Sequence, residues 1–459
     1  VSTPDAQVLV VGGGIAGLAA ARELQAQGLE VRLVEPRARP GGVLWTQEIR
    51  GYRVECGPNA FRVKADCADF LLANGLAPRL VRAGPESRLR FLWREGRLLR
   101  VPSGPLGFAT TELLSRRGKL RLLAEPGIRR GDAAGESVAG FVSRRLGREA
   151  LERLVAPFLT GVYAGDEEQL GAEAVFPSLV AAERACGSVT AGLLASALGL
   201  RGERTRRGWP GSWSGRGGLR DLAQALADGL ASPPELRTRA REIRREQGVW
   251  RVELESASGG PAALRAQQLV IATPAPEAAA LLAPVDADAA GLLAEVPYAP
   301  LVAVALGARR RALARPVRGF GFLVPRTEDL GLLGCLFMSR VFPDRAPEGC
   351  ELLHCLLGGV RWPAAVEAPD AQLEQVACEA LDRVFGLRDP PERLLVARWP
   401  RAVPQPDVRH GARMAALRDR LRAHPGLFLA GSYVDGVAVG DSLLSGVEAA
   451  RSAAGALPD

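Results

Sequence analysis

Apolar positions along this chain change period several times, and each change marks an element. Ala6–Val11 is a short, β-branched apolar run without polar alternation, which predicts a strand buried in a parallel sheet. From Ile15 the spacing lengthens to roughly 3.6 residues through Leu18, Ala19, Ala21 and Leu24. That spacing is helical, and Gly28 is placed to end the helix in a left-handed cap. Residues 29–34 form a second apolar strand closed by Glu35, so the chain opens with a βαβ unit.

Farther along, residues 108–200 carry helix-spaced apolar positions with arginines between them, clearest over 140–146 and 150–155. Packed core with solvated arginines, or a membrane-apposed face, are the two readings of such helices. A polar, basic linker follows over 201–208. Next come a helix over 221–230, strands over 235–246 and 249–255, and a buried parallel strand from Gln268 to a turn at Pro274, which predicts a return to the first sheet. Segments 300–306, 321–325, 332–338 and 350–358 are strand-like, separated by Pro and Gly, and predict a second, mixed sheet. Residues 88–93 alternate as a strand with Arg88, Arg90 and Leu92 on one face. A last buried strand over 426–430 enters a glycine turn and a helix containing Gly446.

Composition changes this picture little. A chain of 459 residues suits two or three lobes. The net charge is +8, from 59 basic and 51 acidic residues, yet only Lys64 and Lys119 are lysines. Arginine excess of this kind, without a recognition motif, reads as compositional bias and excludes a nucleic-acid role. Seven cysteines, odd in number and without a C-x-x-C pair, argue against a disulfide framework or a zinc site. The three histidines, His354, His410 and His424, are scattered, as surface or packed imidazoles are, and no metal site is expected. The first strand starts within a few residues of the beginning and no apolar run reaches about 18 residues. The expectation is therefore a cytoplasmic protein without a targeting peptide or spanning helix, with any membrane contact peripheral.

Candidate chemistry starts at Gly12-Gly-Gly-Ile-Ala-Gly17. Gly12 allows the tight turn off the strand, Gly14 lets the backbone approach a pyrophosphate, and Gly17 lets helix and strand pack closely. Phosphates can then sit on the helix N-terminus, where free N–H groups favour anions. Glu35 is placed to accept hydrogen bonds from ribose hydroxyls. Arg39-Pro-Gly41-Gly42 can add backbone donors and a charge-assisted contact to phosphate, an extension that a nicotinamide site does not need.

With that extension the chain resembles the FAD-dependent amine oxidase and phytoene desaturase superfamily, whose fingerprint joins G-x-G-x-x-G, an acid and R-x-G-G. Further stretches resemble the oxygen-dependent protoporphyrinogen oxidase family. They are Cys56-Gly-Pro-Asn-Ala-Phe61, Leu89-Arg-Phe-Leu-Trp93 with Val101-Pro-Ser-Gly104, Gly161-Val-Tyr-Ala-Gly-Asp166 with Phe176-Pro-Ser178, Gly319-Phe-Gly-Phe-Leu-Val-Pro325, Leu356-Leu-Gly-Gly359 and Gly436-Val-Ala-Val-Gly-Asp441. They occur in one order and span almost the whole chain.

The resemblance implies an α/β fold: a Rossmann-like FAD-binding domain over 1–82, 213–275 and 425–459, a helical and membrane-associating domain over 92–200, and a mixed-sheet substrate domain from 83–91, 201–212 and 276–424. FAD, held non-covalently, would contact Gly12, Gly13, Gly14, Ile15, Ala16, Gly17, Glu35, Pro36, Arg39, Gly42, Val43, Gly57, Pro58, Asn59, Ala60, Val437, Ala438 and Val439. Ala240 stands where the family usually has a valine against the adenine, and Gly440 where members have asparagine. Arg90 would hold a substrate propionate, Phe320, Leu323 and Leu356 would clamp the macrocycle, and the Gly161 carbonyl would face pyrrole N–H groups. By spacing alone the apolar trio reads as ordinary core.

The implied reaction is oxidation of protoporphyrinogen IX to protoporphyrin IX by dioxygen, releasing hydrogen peroxide, in haem synthesis. Asn59 is the candidate for orienting the substrate; it cannot serve as a strong base. Coproporphyrinogen III, with four carboxylates in place of two, is the alternative substrate, and arginine number does not discriminate between them. A homodimer, peripheral membrane contact and hand-over to ferrochelatase are further expectations. Competing readings are an amine oxidase, a carotenoid desaturase and a non-catalytic flavin-binding module. An amine oxidase usually carries a lysine near the flavin and two aromatic side chains around the amine; here no lysine follows Lys119 and Tyr433 is the only tyrosine available. A desaturase calls for a more continuous apolar tunnel.

Overall fold

The computed structural model describes residues 4–132, 135–197, 206–257 and 259–457. The end of the helical stretch and the first part of the basic linker, 198–205, lie outside the described residues.

Ala6–Val11, Ile15–Ala26 and Val31–Glu35 form the βαβ unit, and Gly28 adopts φ +82° at the end of the helix. Five parallel strands stand in the order Glu235–Leu236, Val31–Glu35, Ala6–Val11, Ala263–Ile271 and Leu427–Leu429. Val249–Ser256 and Thr238–Glu246 extend the sheet antiparallel from Ala263–Ile271. The segment expected as one strand over 235–246 is therefore two. Arg237, at φ +55°, breaks it, so its halves pair at opposite ends of the strand order and the sheet curls back on itself. Ile15–Ala26, Leu219–Asp228 and Val439–Gly455 cover one face, and Ala275–Leu282, Ala287–Ala294 and His410–Leu421 cover the other.

The helix expected over 221–230 starts two residues earlier because a distant hairpin, Thr46–Ile49 with Tyr52–Glu55, caps it. Glu55 Oε1 accepts the Leu219 N–H at 3.0 Å, and Thr46 Oγ1 accepts that of Arg220 at 3.2 Å. Trp209–Gly215 is a strand between Phe61–Val63 and Leu80–Arg82, so 209–212 joins the first domain's side of the molecule rather than the mixed-sheet substrate domain expected for 201–212.

The second sheet is mixed, in the order Glu392–Pro404, Tyr298–Arg309, Cys350–Gly358, Gly334–Phe337, Gly321–Leu323, Arg90–Arg94 and Arg97–Arg100. Among the described residues of this sheet only Gly321–Leu323 and Arg90–Arg94 pair in parallel. A boundary at 92 would cut the Arg90–Arg100 hairpin, and the helices begin only at Gly104. Arg88 ends a 3-10 turn, Pro85–Arg88, so it does not share the strand face of Arg90. Helix Asp370–Phe385 packs on one face, against Phe322, Cys335, Phe337, Leu353, Cys355 and Leu357. Alternation along each strand leaves Leu323, Gly334, Leu336, His354 and Leu356 on the other face.

In the helical region the backbone runs on from Arg148 to Tyr163, with Leu151–Val155 in π-helical geometry. Pro157 explains the wider turn, because its ring would clash with the carbonyl four residues back in a regular helix. The arginines here are not all solvated. Arg145 is fully buried in an ion pair with Glu125, and Arg144 pairs with Glu136 and Glu183, both at 2.7 Å. Among the described residues no helix is long and apolar enough to cross a membrane.

Candidate functional site

Two helix N-termini and three loops build one end of the first domain. An added Cβ at Gly17 would lie 1.9 Å from Gly12 O, and one at Gly446 would lie 1.9 Å from Ala16 O. Glycine at both positions lets the first helix close on its strand and the last helix close on the first. Gly12 itself has φ +108°, with Ala272 O 2.7 Å from the place of a Cβ. At Gly14 nothing lies within 4 Å of that place, so the loop is open on the ligand side. Ile15, Ala16 and Val439 bury their side chains in the core, so what they offer is backbone N–H at the two helix starts. Val437 is half-buried and Ala438 exposed as the last helix begins.

Glu35 is buried, and its carboxylate accepts the N–H groups of Gly13 at 2.7 Å and Arg37 at 2.9 Å. It thus holds the glycine loop, and each oxygen keeps lone pairs for a ribose hydroxyl. Pro36 is exposed at the turn that follows. The Gly41 N–H donates to Gly13 O at 2.7 Å, laying the second pair of glycines on the first. Arg39 stacks 4.3 Å from the centre of Trp45 and donates to Gly42 O at 3.0 Å. Desolvation, then repulsion from Arg37, lowers its pKa. Val43 is exposed beside it, and its carbonyl would be 2.2 Å from a Cβ on Gly57, so Gly57 lies against the loop, with Pro58, Asn59 and Ala60 half-buried after it. Ala240 sits at a bulge in Thr238–Glu246, half-buried alongside Val31–Glu35. At Gly440 a Cβ would lie 3.1 Å from Arg62 O, a tight fit for the asparagine that the resemblance implies there. An open loop, two converging helix starts and an acid at the second strand's tip fit a flavin dinucleotide.

Across the second sheet the register places Leu323, Gly334 and Leu356 in one row, and Arg90, Gly321, Leu336 and His354 in the row two residues away. All face away from helix Asp370–Phe385. Leu323 and Leu356 are half-buried on either side of the buried Gly334, and Leu323 Cδ2 leans over the glycine, 2.9 Å from the place of a Cβ. The Arg90 guanidinium lies 4.9 Å from the ring centre of Phe320, and the residue is exposed. Desolvation lowers its pKa and nearby Arg62 lowers it further.

Two contacts close the site. An added Cβ at Gly161 would lie 2.6 Å from Leu323 Cδ2, so the helical region meets this face directly. Gly161 falls in the last turn of its helix, where carbonyls run out of intrahelical donors. Asn59 Oδ1 lies 2.5 Å from His354 Nδ1, tying the dinucleotide end of the first domain to the second sheet. His354 is buried, and desolvation pushes its pKa down to about 4. Reading it as one of three scattered histidines misses this contact; the only signal in the sequence is its even spacing from Leu356. Gly334 is likewise invisible without the strand register. Tyr433, the one tyrosine open to an amine-oxidase aromatic pair, is 2% exposed in the core of the first domain.

Residues 15–454 match the family described as flavin containing amine oxidoreductase. Among curated relatives, the protoporphyrinogen oxidase of Homo sapiens is 34% identical over 98% of this chain and 99% of its own length. The coproporphyrinogen III oxidase of Bacillus subtilis (strain 168) is 28% identical over 97% of both chains. A crystal structure of a candidate protoporphyrinogen oxidase from Exiguobacterium sp. 255-15 superposes with a TM-score of 0.82 at 25% identity, covering 98% of this chain and 99% of that one. The fold, the site and these likenesses agree: this chain belongs to the flavin-containing amine oxidoreductase family and, within it, to the protoporphyrinogen oxidases.

Proposed function

We propose that the protein binds FAD non-covalently and oxidises protoporphyrinogen IX to protoporphyrin IX, with dioxygen as acceptor and hydrogen peroxide as co-product. The observation that carries this reading is the face of the second sheet: an apolar row, Leu323, Gly334 and Leu356, with the Arg90 cation in the adjoining row. A tetrapyrrole has the matching shape, an apolar disc with carboxylates on one edge. Bound FAD would supply a two-electron acceptor that dioxygen reoxidises, so three cycles and three dioxygen molecules remove the six hydrogens that separate porphyrinogen from porphyrin.

The chain's own residues bind and orient. Arg90 grips a propionate through two parallel hydrogen bonds, Phe320, Leu323 and Leu356 hold the ring, and the Gly161 carbonyl accepts from pyrrole N–H. Positioning supplies most of the acceleration, because aromatisation already drives the reaction. Gly436–Asp441 holds neither cysteine nor histidine, which supports non-covalent attachment. Fluorescent product formed from protoporphyrinogen IX and from coproporphyrinogen III, side by side, tests the substrate. We expect the dicarboxylate to be preferred; a clear preference for the tetracarboxylate reverses the assignment. Anaerobic protoporphyrinogen should bleach the flavin, and its failure to do so would favour a binding module.

Apolar surface favours a reading of where the enzyme works. Of twelve exposed large apolar side chains among the described residues, eight lie from Leu106 to Leu194. This supports peripheral contact of the helical region with a membrane. Co-flotation with anionic liposomes should be lost in the Leu120→Glu, Leu123→Glu double variant; absence of co-flotation by the unaltered protein removes the reading.

A further inference from the structure

We propose that His354 is a positioning residue: its Nδ1–H locks the Asn59 carboxamide so that the amide presents its Nδ2 donor, not its carbonyl, to the reacting groups. The inference rests on the reading of Asn59 as a site residue. Its basis is the 2.5 Å contact between Asn59 Oδ1 and His354 Nδ1, made across 295 positions of sequence by a histidine 2% exposed to solvent. A neutral imidazole has one N–H and one acceptor, and a carboxamide has both ends, so two pairings are possible in principle. The second neighbour of the amide decides between them. Asn59 Nδ2 faces Gly57 O at 3.5 Å, and turning the amide over would set Oδ1 against that carbonyl oxygen. The amide must therefore keep its oxygen toward His354, which in turn must carry its proton on Nδ1.

A chemical consequence follows. With Oδ1 taken by His354 and one Nδ2 hydrogen toward Gly57, the second Nδ2 hydrogen is what Asn59 has left to give. Pyrrole N–H groups are donors and do not complement it. Its complement is an acceptor: a flavin ring nitrogen or carbonyl, or the substrate nitrogen that has given up its proton as conjugation forms. His354 is placed to do this because its row holds Arg90 and adjoins that of Leu323 and Leu356.

Histidine-labelled holoenzyme tests the tautomer by heteronuclear NMR, with only three imidazoles to assign. His354 should show a neutral Nδ1–H that persists from pH 8 to about 5.5, and Asn59→Ala should shift that proton. An Nε2–H tautomer, or a titration near the ordinary histidine value, overturns the proposal whatever the substrate is. In turnover, His354→Leu should keep FAD and KM but lose roughly tenfold to a hundredfold in kcat. His354→Asn, which returns an amide N–H near the Nδ1 position, should recover most of the loss; a role in packing alone would not give that rescue. In an Asn59→Ala background His354→Leu should cost nothing more. If the two losses multiply, His354 does not act through Asn59 and the proposal fails while the reading of Asn59 stands. If Asn59→Ala alone has full activity, that reading fails and takes the proposal with it.

Discussion

Gly161 and Leu323 touch without a side chain between them: an added Cβ on the glycine would lie 2.6 Å from Leu323 Cδ2. The two belong to different parts of the molecule, a helix end and a sheet strand, so the contact sets where the helical region meets the face that carries Leu356. Gly161→Ala should leave folding almost unchanged, because the methyl meets the far end of a flexible side chain and helix propensity favours alanine by about 1 kcal/mol. The displaced Leu323 should instead raise KM for the porphyrinogen and lower kcat, with FAD content unaltered. Adding Leu323→Ala should recover part of the activity. A Gly161→Ala enzyme with unchanged kinetics would separate this contact from the substrate.

How much of this was legible in the sequence follows from how local each feature is. The βαβ unit, with Gly12, Gly17 and Glu35, reads directly, since strand, turn, helix and acid lie within one stretch of chain. The second sheet reads as strands but not as a surface. That Gly334 lies between Leu323 and Leu356 depends on pairings with partners far along the chain, which no local pattern contains. His354 is missed for the same reason, and so is Glu55, whose partners Thr46 and Leu219 come from a hairpin and a helix separated by more than 150 residues. Local geometry also misled where one residue broke a pattern. Alternation carried the strand reading through Arg237 and back to Arg88, but a positive φ at the first and a 3-10 turn at the second end those strands.

The glycine loop gives a prediction that needs no turnover. At Gly14 a Cβ would meet nothing within 4 Å, and the backbone there is extended, with φ −71° and ψ 179°, which any residue adopts. Gly14→Ala should therefore fold as the apoprotein with an unchanged melting temperature, while its methyl fills the space where the pyrophosphate would lie. Affinity for FAD should fall by about tenfold or more. Gly17→Ala makes the contrast: its Cβ would lie 1.9 Å from a backbone carbonyl, so the apoprotein itself should lose stability. Equal FAD affinity in Gly14→Ala and the unaltered protein would move the cofactor off this loop.

Arg90 is the second test of the site. Among the described residues it has no acidic partner, and the Phe320 ring and the repulsion of Arg62 lie beside it, so a carboxylate would relieve an existing cost. Arg90→Ala should keep FAD and fold normally but lose about 2 to 5 kcal/mol of transition-state stabilisation, mostly as KM. Arg90→Lys should recover only part, since a point charge lacks the planar fork. Arg88→Ala, on the 3-10 turn outside the strand, is the control and should behave as the unaltered protein. Unchanged kcat/KM in Arg90→Ala would remove it from the site.

Glu55 leads to a prediction about pH. The carboxyl is 2% exposed, and desolvation raises its pKa to about 7 against the opposing pull of its Thr46 bond, of Arg345 and of the Leu219 N–H. A carboxyl whose pKa is higher folded than unfolded stabilises the fold fully below its unfolded value of about 4.5, and that contribution is lost as pH rises through 7. His354 works the other way. Its folded pKa of about 4 lies below the unfolded value, so its contribution is present above about 6.5 and lost as pH falls toward 4. The two oppose each other between pH 5 and 7, and the unaltered protein should show a flatter stability profile there than either group alone would give. Substitution separates them. Glu55→Gln keeps an acceptor for the Leu219 N–H and removes the charge, so urea midpoints at pH 5 should match those of the unaltered protein. At pH 8 the variant should be more stable, by roughly 2 to 3 kcal/mol at most. Stability curves that run parallel from pH 5 to pH 8 would mean that Glu55 titrates as an ordinary carboxylate, and that the hairpin caps helix Leu219–Asp228 with a charge that burial has not destabilised.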